Sequence, residues 1–191
     1  MPGAQPTPQA AGAAFGKNYQ AATRAGLLYS ARMKKKPALA PLAAIDVRLE
    51  FALHAPQARV WEALVSETPA WWPRSFLTSE RTQRFIIEPR LGGMVGEVAG
   101  DGEGLVWYRV IGVESPVSLL LAGYLLPPWA GPATSLLRLT LTAVGPAETK
   151  LELVDSSFGK ITGEGLADGW RQIFDEHFRA HLDRPAVRRR K

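Results

Sequence analysis

The chain has 191 residues, of which 46% are hydrophobic, so one domain can bury a substantial core. It contains no cysteine, which excludes disulfides, thiol catalysis and cysteine-ligated zinc, and which fits a reducing compartment. It has no run of about 18 apolar residues, so we expect no transmembrane segment. The N-terminal stretch makes a poor secretory signal, and we therefore expect a cytoplasmic protein.

The net charge of +5 is divided unevenly along the chain. Residues 1–44 carry six Lys and Arg and no acidic residue, and residues 184–191 carry five more Lys and Arg. Residues 45–183 hold the other 12 Lys and Arg against all 18 Asp and Glu, a net charge of −6. This division predicts a mildly acidic domain at 45–183 between basic tails, with the Ala- and Pro-rich residues 1–44 disordered or weakly ordered. The tails could contact acidic partners weakly, but no basic stripe predicts specific nucleic-acid binding.

The predicted elements run strand, helix, strands, helix. Alternating apolar residues predict a strand over 45–53, and Pro56 with apolar residues at helical spacing predicts a helix over 56–66. Turn residues separate further predicted strands at 83–88, 94–99, 105–114, 117–126, 134–144 and 148–158, with a loop at 127–132. Residues 163–183 carry apolar side chains every three or four positions, which predicts an amphipathic helix of about five to six turns.

These elements predict an α+β domain in which a curved antiparallel sheet of about seven strands wraps around the long C-terminal helix. A curved sheet that grips a helix leaves room between the two, so we also expect a cavity there. The aromatic residues of the helix stripe, Trp170, Phe174 and Phe178, could then line the cavity or pack as ordinary core.

Several ordered segments resemble the START-like (SRPBCC) superfamily, and in particular its branch of homologues of the activator of the ninety-kilodalton heat-shock chaperone ATPase. The matching segments are Ala55-Pro56, Val60-Trp61-Glu62-Ala63-Leu64, Trp71-Trp72-Pro73, Glu88-Pro89-Arg90-Leu91-Gly92-Gly93, Asp101-Gly102, Trp107-Tyr108-Arg109-Val110 and Gly169-Trp170. The resemblance covers about Ile45 to Leu182. It implies a helix-grip fold with a ligand pocket, but proteins of this fold include lipid carriers, hormone receptors and polyketide cyclases. Relatives often carry a tryptophan where this chain has Gly123, beside Tyr124.

The candidate ligand-binding residues lie on elements that should face one another. They are Trp71, Trp72, Phe85, Met94, Trp107, Arg109, Tyr124, Trp170, Phe174 and Phe178. The tryptophan pair could form a lid or wall that stacks on a flat ligand, or could simply pack the loop onto the core. Strand alternation predicts that Trp107 and Arg109 share a face. If that face is concave, Arg109 could bind a carboxylate or phenolate, and otherwise it is an exposed arginine paired with an acid.

Polar candidates for chemistry are few. Glu88 and Arg90 flank a tight glycine turn and are interpreted as structural, paired with each other or with Arg109. His177 and His181 share a helix face, but the glutamate of the zinc-helix motif is missing, so we interpret them as a solvated face near the helix end and expect no metal. No phosphate loop, nucleophile elbow or dinucleotide motif is present, and we expect no cofactor.

Three functional hypotheses remain open. The first is a monomeric or homodimeric module that carries, sequesters or senses a small hydrophobic or aromatic molecule, a lipid included. The second is a cyclase- or aromatase-like enzyme that uses Arg109, Tyr124 and Glu88. The third is a co-chaperone-like interaction module, which an exposed apolar patch on the outer surface would favour.

Overall fold

The structure is a computed structural model that describes residues 42–126, 131–161 and 163–184, with no side-chain description at 163 and 164. Most of both predicted tails lies outside the described residues. So do residues 127–130 of the predicted loop.

Seven strands and three helical segments make up the described residues. The strands are β1 (Ala43–Leu53), β2 (Arg84–Ile87), β3 (Met94–Val98), β4 (Gly104–Glu114), β5 (Ser118–Leu125), β6 (Ala133–Gly145) and β7 (Glu148–Gly159). Between β1 and β2 lie α1 (Gln57–Ser66), α2 (Thr68–Trp71) and a 3₁₀ turn (Arg74–Phe76), and a second 3₁₀ turn (Gly100–Gly102) joins β3 to β4. The C-terminal helix, residues 163–182, begins as α3 (Gly163–Arg171), continues as a π-helix (Gln172–Phe178) and ends as α4 (Arg179–Leu182). Each predicted element is present, with its ends moved by one or two residues.

The strands form one antiparallel sheet in the order β1-β7-β6-β5-β4-β3-β2. Strands β2 to β7 follow one another as a meander, and β1 returns to pair with β7. Because β1 and β2 are the two edges, the segment that carries α1 and α2 must cross the whole sheet. With the C-terminal helix against the curved sheet, the architecture is the predicted helix-grip fold.

The core lies between the inner face of the sheet and the helices. Alternate residues of β5, β6 and β7 point inward and are buried, among them Leu119, Leu121, Leu137, Leu139, Leu141, Leu151 and Leu153. From the helices, Val60, Leu64, Ile173, Phe174 and Phe178 pack onto this layer. This alternation is the period-two pattern by which the strands were predicted.

One strand departs from strict alternation at a β-bulge. The register between β3 and β4 shifts between Val95 and Gly96, which leaves Trp107 as the extra residue on β4. An extra residue reverses the faces of the residues that follow it. Trp107 therefore packs against the core and Tyr108 is buried, while Arg109 is exposed. The prediction that Trp107 and Arg109 share a face is wrong for this reason.

The spacing of apolar residues predicted a regular α-helix over 163–183, but part of the C-terminal helix is not α-helical. Residues 172–178 form a π-helical segment, in which Ile173, Phe174 and Phe178 are buried against the sheet. The apolar spacing of three to four residues fits a π-turn inside an α-helix as well as an unbroken α-helix, so the sequence pattern did not separate them.

Gly123 holds a close contact between β5 and β4. A Cβ at this position would lie 2.1 Å from the backbone oxygen of Trp107 and 2.5 Å from Cδ1 of Tyr108. The Tyr108 ring therefore occupies the space in front of Gly123.

Substitution Gly123→Ala should destabilise the fold by about 1–3 kcal/mol or more, because backbone of β4 must move to admit the methyl group. Urea unfolding of the purified variant measures this loss. The matched control is Gly100→Ala, where the nearest atom to an added Cβ is the end of the Gln83 side chain at 3.5 Å. The control should stay within about 0.5 kcal/mol of wild type, and equal stability of the two variants would contradict the close contact.

Candidate functional site

Three aromatic side chains form a tight group at the end of the sheet that carries β2 to β4. The rings of Trp72 and Phe85 are stacked with centroids 3.7 Å apart and an interplanar angle of 1°. Trp107 meets both edge-on, at 5.6 Å from Trp72 and 5.3 Å from Phe85. This group, which we name the indole cluster, requires the β-bulge, because without it Trp107 would not point inward together with Tyr108.

A second aromatic group continues from the indole cluster under the C-terminal helix. Trp71 lies 5.7 Å from Trp72 and 4.6 Å from Phe178, and it also contacts Phe174 at 6.1 Å. Phe174 in turn contacts Trp170 and, on β1, Phe51. The layer between helix and sheet is thus made of aromatic rings in contact with one another, whose faces and edges suit flat apolar molecules.

The indole N–H groups of this interior differ in one respect. Trp71 donates to the backbone oxygen of Ala63 at 2.9 Å, Trp107 to Glu97 at 2.9 Å and Trp170 to Asp155 at 2.8 Å. Nε1 of Trp72 is buried and has no hydrogen-bond partner. A buried donor without a partner costs about 1–3 kcal/mol, so this atom is an unusual feature of the interior.

A buried carboxylate fixes the C-terminal helix on the sheet. Asp155 of β7 is fully buried, and its Oδ1 accepts hydrogen bonds from the hydroxyls of Ser135 at 2.6 Å and Ser157 at 2.9 Å. Its Oδ2 accepts the indole N–H of Trp170. Three donors on three elements compensate the lost hydration of the carboxylate.

Tyr108 extends this network across β5 and β4. Burial raises the pKa of the Tyr108 hydroxyl above its usual value of 10.0, and the nearby Asp155 carboxylate raises it further, while a hydrogen bond with Ser135 lowers it in part. Tyr108, Ser135 and Asp155 are thus neighbours in the interior and form a polar feature that the sequence reasoning missed. Its only sequence signal is a pair of inward positions, Ser135 and Asp155, held by polar residues in otherwise apolar strands.

Glu97 on β3 is a second buried carboxylate, only 1% exposed. It accepts the backbone N–H and the hydroxyl of Thr78, the hydroxyl of Thr82 at 2.6 Å, and the indole N–H of Trp107. These bonds tie the residues that precede β2 to the indole cluster. The alternating pattern of β3 gave no reason to expect an acid on its inward face.

The structure brings together seven of the ten predicted ligand-binding residues. Those seven are Trp71, Trp72, Phe85, Trp107, Trp170, Phe174 and Phe178. The other three lie on strand positions of the outer face. Met94 pairs with Arg109 across β3 and β4. Arg109 is exposed, with a 3.4 Å bond to the backbone oxygen of Gly92, and Tyr124 is 72% exposed.

The residues suggested for an enzyme do not converge. Arg109 and Tyr124 lie on the outer face, and Glu88 holds the turn between β2 and β3 by accepting the backbone N–H of Met94 at 2.8 Å. Glu88 also pairs with Arg90 at 3.0 Å, which confirms one of the two pairings predicted for it. Cyclase chemistry by this set of three residues is therefore not supported.

Of the two helix histidines predicted to form a solvated face, His177 is half-buried and His181 is largely buried. His181 has only 13% of its side chain exposed, and its Nε2 lies 2.5 Å from Oε2 of Glu67, which also pairs with Arg59. Desolvation raises the pKa of Glu67, but hydrogen bonds from Arg59 and His181 outweigh it and bring the pKa below its ordinary value. The cluster joins the end of α1 to the end of the C-terminal helix. Within the described ranges, no group of three His, Asp or Glu side chains is placed to hold a metal ion.

The outer face of the sheet carries exposed apolar side chains. Tyr124, Thr134 and Phe158 lie side by side in one row across β5, β6 and β7, and Leu136 lies in the next row. Phe158 is 60% exposed and Leu136 is 47% exposed. An apolar patch of this kind is the feature by which a protein-interaction surface is recognised.

No protein-family model matches the chain, and no curated protein matches it. Solved structures do. A protein from Mesorhizobium loti is 25% identical with a TM-score of 0.53, and the match covers 75% of this chain and all of that one. A protein from Rhodobacter sphaeroides is 22% identical with a TM-score of 0.51, over 73% of this chain and 97% of that one.

A third solved structure is DynU16, a protein of the dynemicin biosynthetic locus. It is 24% identical with a TM-score of 0.54, and the match covers 72% of this chain and 47% of DynU16. These likenesses support the helix-grip fold. The resemblance to the chaperone-activator branch stays a prediction. In the part of the chain that the structure describes, no helix combines the length and apolar character needed to cross a membrane.

Because its pKa is raised, folded Tyr108 should not contribute to the absorbance change of tyrosine ionisation in an alkaline titration. Below about pH 11, Tyr108→Phe should leave the absorbance change of tyrosine ionisation unchanged, because folded Tyr108 keeps its proton. The control is the same pair of proteins in concentrated urea, where unfolded Tyr108 titrates near 10.0 and its replacement by Phe should lower the absorbance change. Because the unfolded chain releases this proton near 10.0, the contribution of Tyr108 to stability is present below pH 10 and is lost as the pH rises toward the raised pKa of the folded state. An equal loss of signal in the folded and the unfolded variant would contradict the buried, protonated Tyr108.

Proposed function

We propose that this protein binds a small hydrophobic or aromatic molecule between the sheet and the C-terminal helix, against the indole cluster. One observation carries the proposal: the buried N–H of Trp72 has no partner, although the indoles of Trp71, Trp107 and Trp170 each have one. A ligand oxygen that accepts this hydrogen bond would remove the cost of the unpaired donor. The ligand is therefore flat and apolar, with at least one carbonyl, ether or phenolic oxygen.

The surroundings of Trp72 support this choice. Its ring already stacks on Phe85 and meets the edge of Trp107, a geometry that a flat ring of the ligand can join or replace. Trp72 also lies between α2 and the 3₁₀ turn and not within a strand or helix. A shift of this one residue can expose the N–H without breaking a sheet hydrogen bond, so entry of the ligand requires only a local adjustment.

Such binding would make the protein a carrier, a sequestering protein or a sensor. Binding of this kind needs apolar walls and one or two placed polar groups, and no nucleophile or metal. The buried carboxylates Asp155 and Glu97 are already bonded to protein donors, so they hold the walls in position and are not free to bind the ligand directly.

Native mass spectrometry of the purified protein, compared with its denatured mass, tests the proposal directly. A mass that is lost on denaturation identifies the ligand. As a defined probe, 1-indanone should quench or shift tryptophan fluorescence saturably, and indane, which has the same shape without the oxygen, should bind roughly ten-fold more weakly. No retained mass together with no saturable response to 1-indanone would overturn the proposal.

Two neighbouring tryptophans give a matched pair of variants. Trp72→Phe keeps a ring but removes the unpaired donor, so we expect the empty protein to be as stable as wild type or slightly more stable, and the affinity for 1-indanone to fall about ten-fold. Trp71→Phe removes an N–H that is bonded to Ala63, so it should lower stability by about 1 kcal/mol or more. Thermal unfolding and the fluorescence titration measure both. If Trp72→Phe binds as wild type does, Trp72 has no part in recognition.

A second candidate function, an enzyme of the cyclase or aromatase kind, is favoured by the buried, protonated Tyr108 beside Ser135 and Asp155. Tyr108 would donate its proton to the attacked carbonyl oxygen of a poly-β-ketone and be reprotonated from solvent. The attacking α-carbon gives its proton to solvent, its electron pair forms the carbon–carbon bond, and the new hydroxyl leaves as water with a second α-proton. Incubation with a short poly-β-ketone thioester, followed by mass spectrometry for loss of water, tests it. Tyr108→Phe should reduce the rate at least ten-fold with little change in binding. Absence of conversion by the wild-type protein excludes this candidate for that substrate class.

A further inference from the structure

A separate cleft of about 190 Å³ lies beside β3, at the start of β4 and against the residues that precede β2. The buried Glu97 forms part of its wall, together with Thr78 and Thr82, whose hydroxyls are bonded to its carboxylate. Arg81 and Glu103 also border it, and Leu105 supplies an apolar side. None of the residues that line the cleft belongs to the indole cluster.

Glu97 determines how the two threonine hydroxyls face the cleft. A carboxylate only accepts hydrogen bonds, so the hydroxyls of Thr78 and Thr82 both give their protons to its Oε2, at 3.0 and 2.6 Å. Each hydroxyl oxygen then has only lone pairs to offer to a molecule in the cleft. The cleft therefore selects a ligand that donates hydrogen bonds.

The charges around the cleft determine whether it favours a positively or a negatively charged ligand. Among the described residues, no basic side chain pairs with Glu97, whose hydrogen-bond donors are all neutral. Arg81 is paired instead with Glu103 at 2.8 Å, and both are more than half exposed. The two carboxylates and one guanidinium leave one negative charge uncompensated. A buried carboxylate without a counter-ion favours a cation placed next to it.

We propose that this cleft binds the head group of a small protonated amine. The ammonium donates N–H bonds to the hydroxyl oxygens of Thr78 and Thr82, and the charge of Glu97 behind them stabilises it. The side of the cleft formed by Leu105 and Ala99 contacts a short aliphatic chain. A cavity of about 150 Å³ accommodates benzene, so a cleft of this size admits an alkylammonium of a few carbons.

The cleft is linked to the indole cluster through Glu97, because the Trp107 indole donates to Oε1 of the same carboxylate. An ammonium group in the cleft draws electron density of Glu97 toward itself and alters the hydrogen bond that the indole makes. The indole N–H of Trp107 is therefore an internal reporter of occupancy, and Trp107→Phe assigns its signal in a ¹H–¹⁵N spectrum.

The experiment titrates the full-length protein with n-butylammonium chloride at constant ionic strength and follows the Trp107 indole signal. We expect a saturable shift. The neutral probe 1-butanol, which has the same number of non-hydrogen atoms, should bind about ten-fold more weakly or not at all, because it lacks the charge. Potassium chloride at the same concentration controls for salt.

Glu97→Gln removes the charge and keeps the shape, so it should weaken butylammonium binding at least about ten-fold. Glu88→Gln is the matched control, because Glu88 also accepts a strand N–H but lies in the turn outside the cleft. The Glu88→Gln variant should bind butylammonium with the affinity of wild type. Should Glu97→Gln fail to fold, Thr82→Val replaces one hydroxyl by a methyl group and should lower the affinity in the same direction. Equal binding of butylammonium and 1-butanol, no saturable shift, or unchanged affinity in both cleft variants would overturn the proposal.

Discussion

The hydrogen bond between the Trp170 indole and Asp155 is the contact on which the interior depends. It joins the C-terminal helix to β7 at 2.8 Å, and Ser135 and Ser157 hold the same carboxylate from the sheet. With this end of the helix fixed, the π-helical segment that follows places Phe174 and Phe178 against Phe51 and Trp71. A fully buried carboxylate is costly unless its hydrogen bonds are made, so the network tolerates few other positions of the helix.

The two buried carboxylates divide the interior into regions with different chemistry. Asp155 organises the end near Tyr108 and Trp170, and Glu97 organises the end near Trp107 and the residues before β2. Between the two carboxylates, the aromatic rings pack against one another in stacked and edge-on contacts. Trp72 is the exception, since it has the ring contacts of a core residue but not the hydrogen bond. The proposed binding of a ligand rests on this unpaired donor.

The β-bulge at Trp107 shows why strand patterns alone misplaced part of the site. Period-two alternation would put Trp107 and Arg109 on one face, and it suggested an arginine in the pocket. The extra residue reverses the faces after Trp107, so the interior receives Tyr108 and the outer face receives Arg109. A bulge is decided by the pairing of two strands that are distant in the chain, and nothing in the local sequence of β4 marks it. Tyr124 was misplaced for a related reason, because Gly123 beside it is the inward residue and leaves room for Tyr108.

The sequence by itself determined the order of the elements, the sheet of seven strands, the long C-terminal helix and the aromatic character of the interior. These depend on periodicity and turn residues, which are local properties of the chain. The tertiary structure decided which polar groups meet: Asp155 with Ser135 and Trp170, Glu97 with Thr78, Thr82 and Trp107, and Trp72 with no partner. Hydrogen bonds between residues far apart in sequence depend on register, bulges and helix position to within an ångström, and those are set only when the whole sheet and its helix pack together.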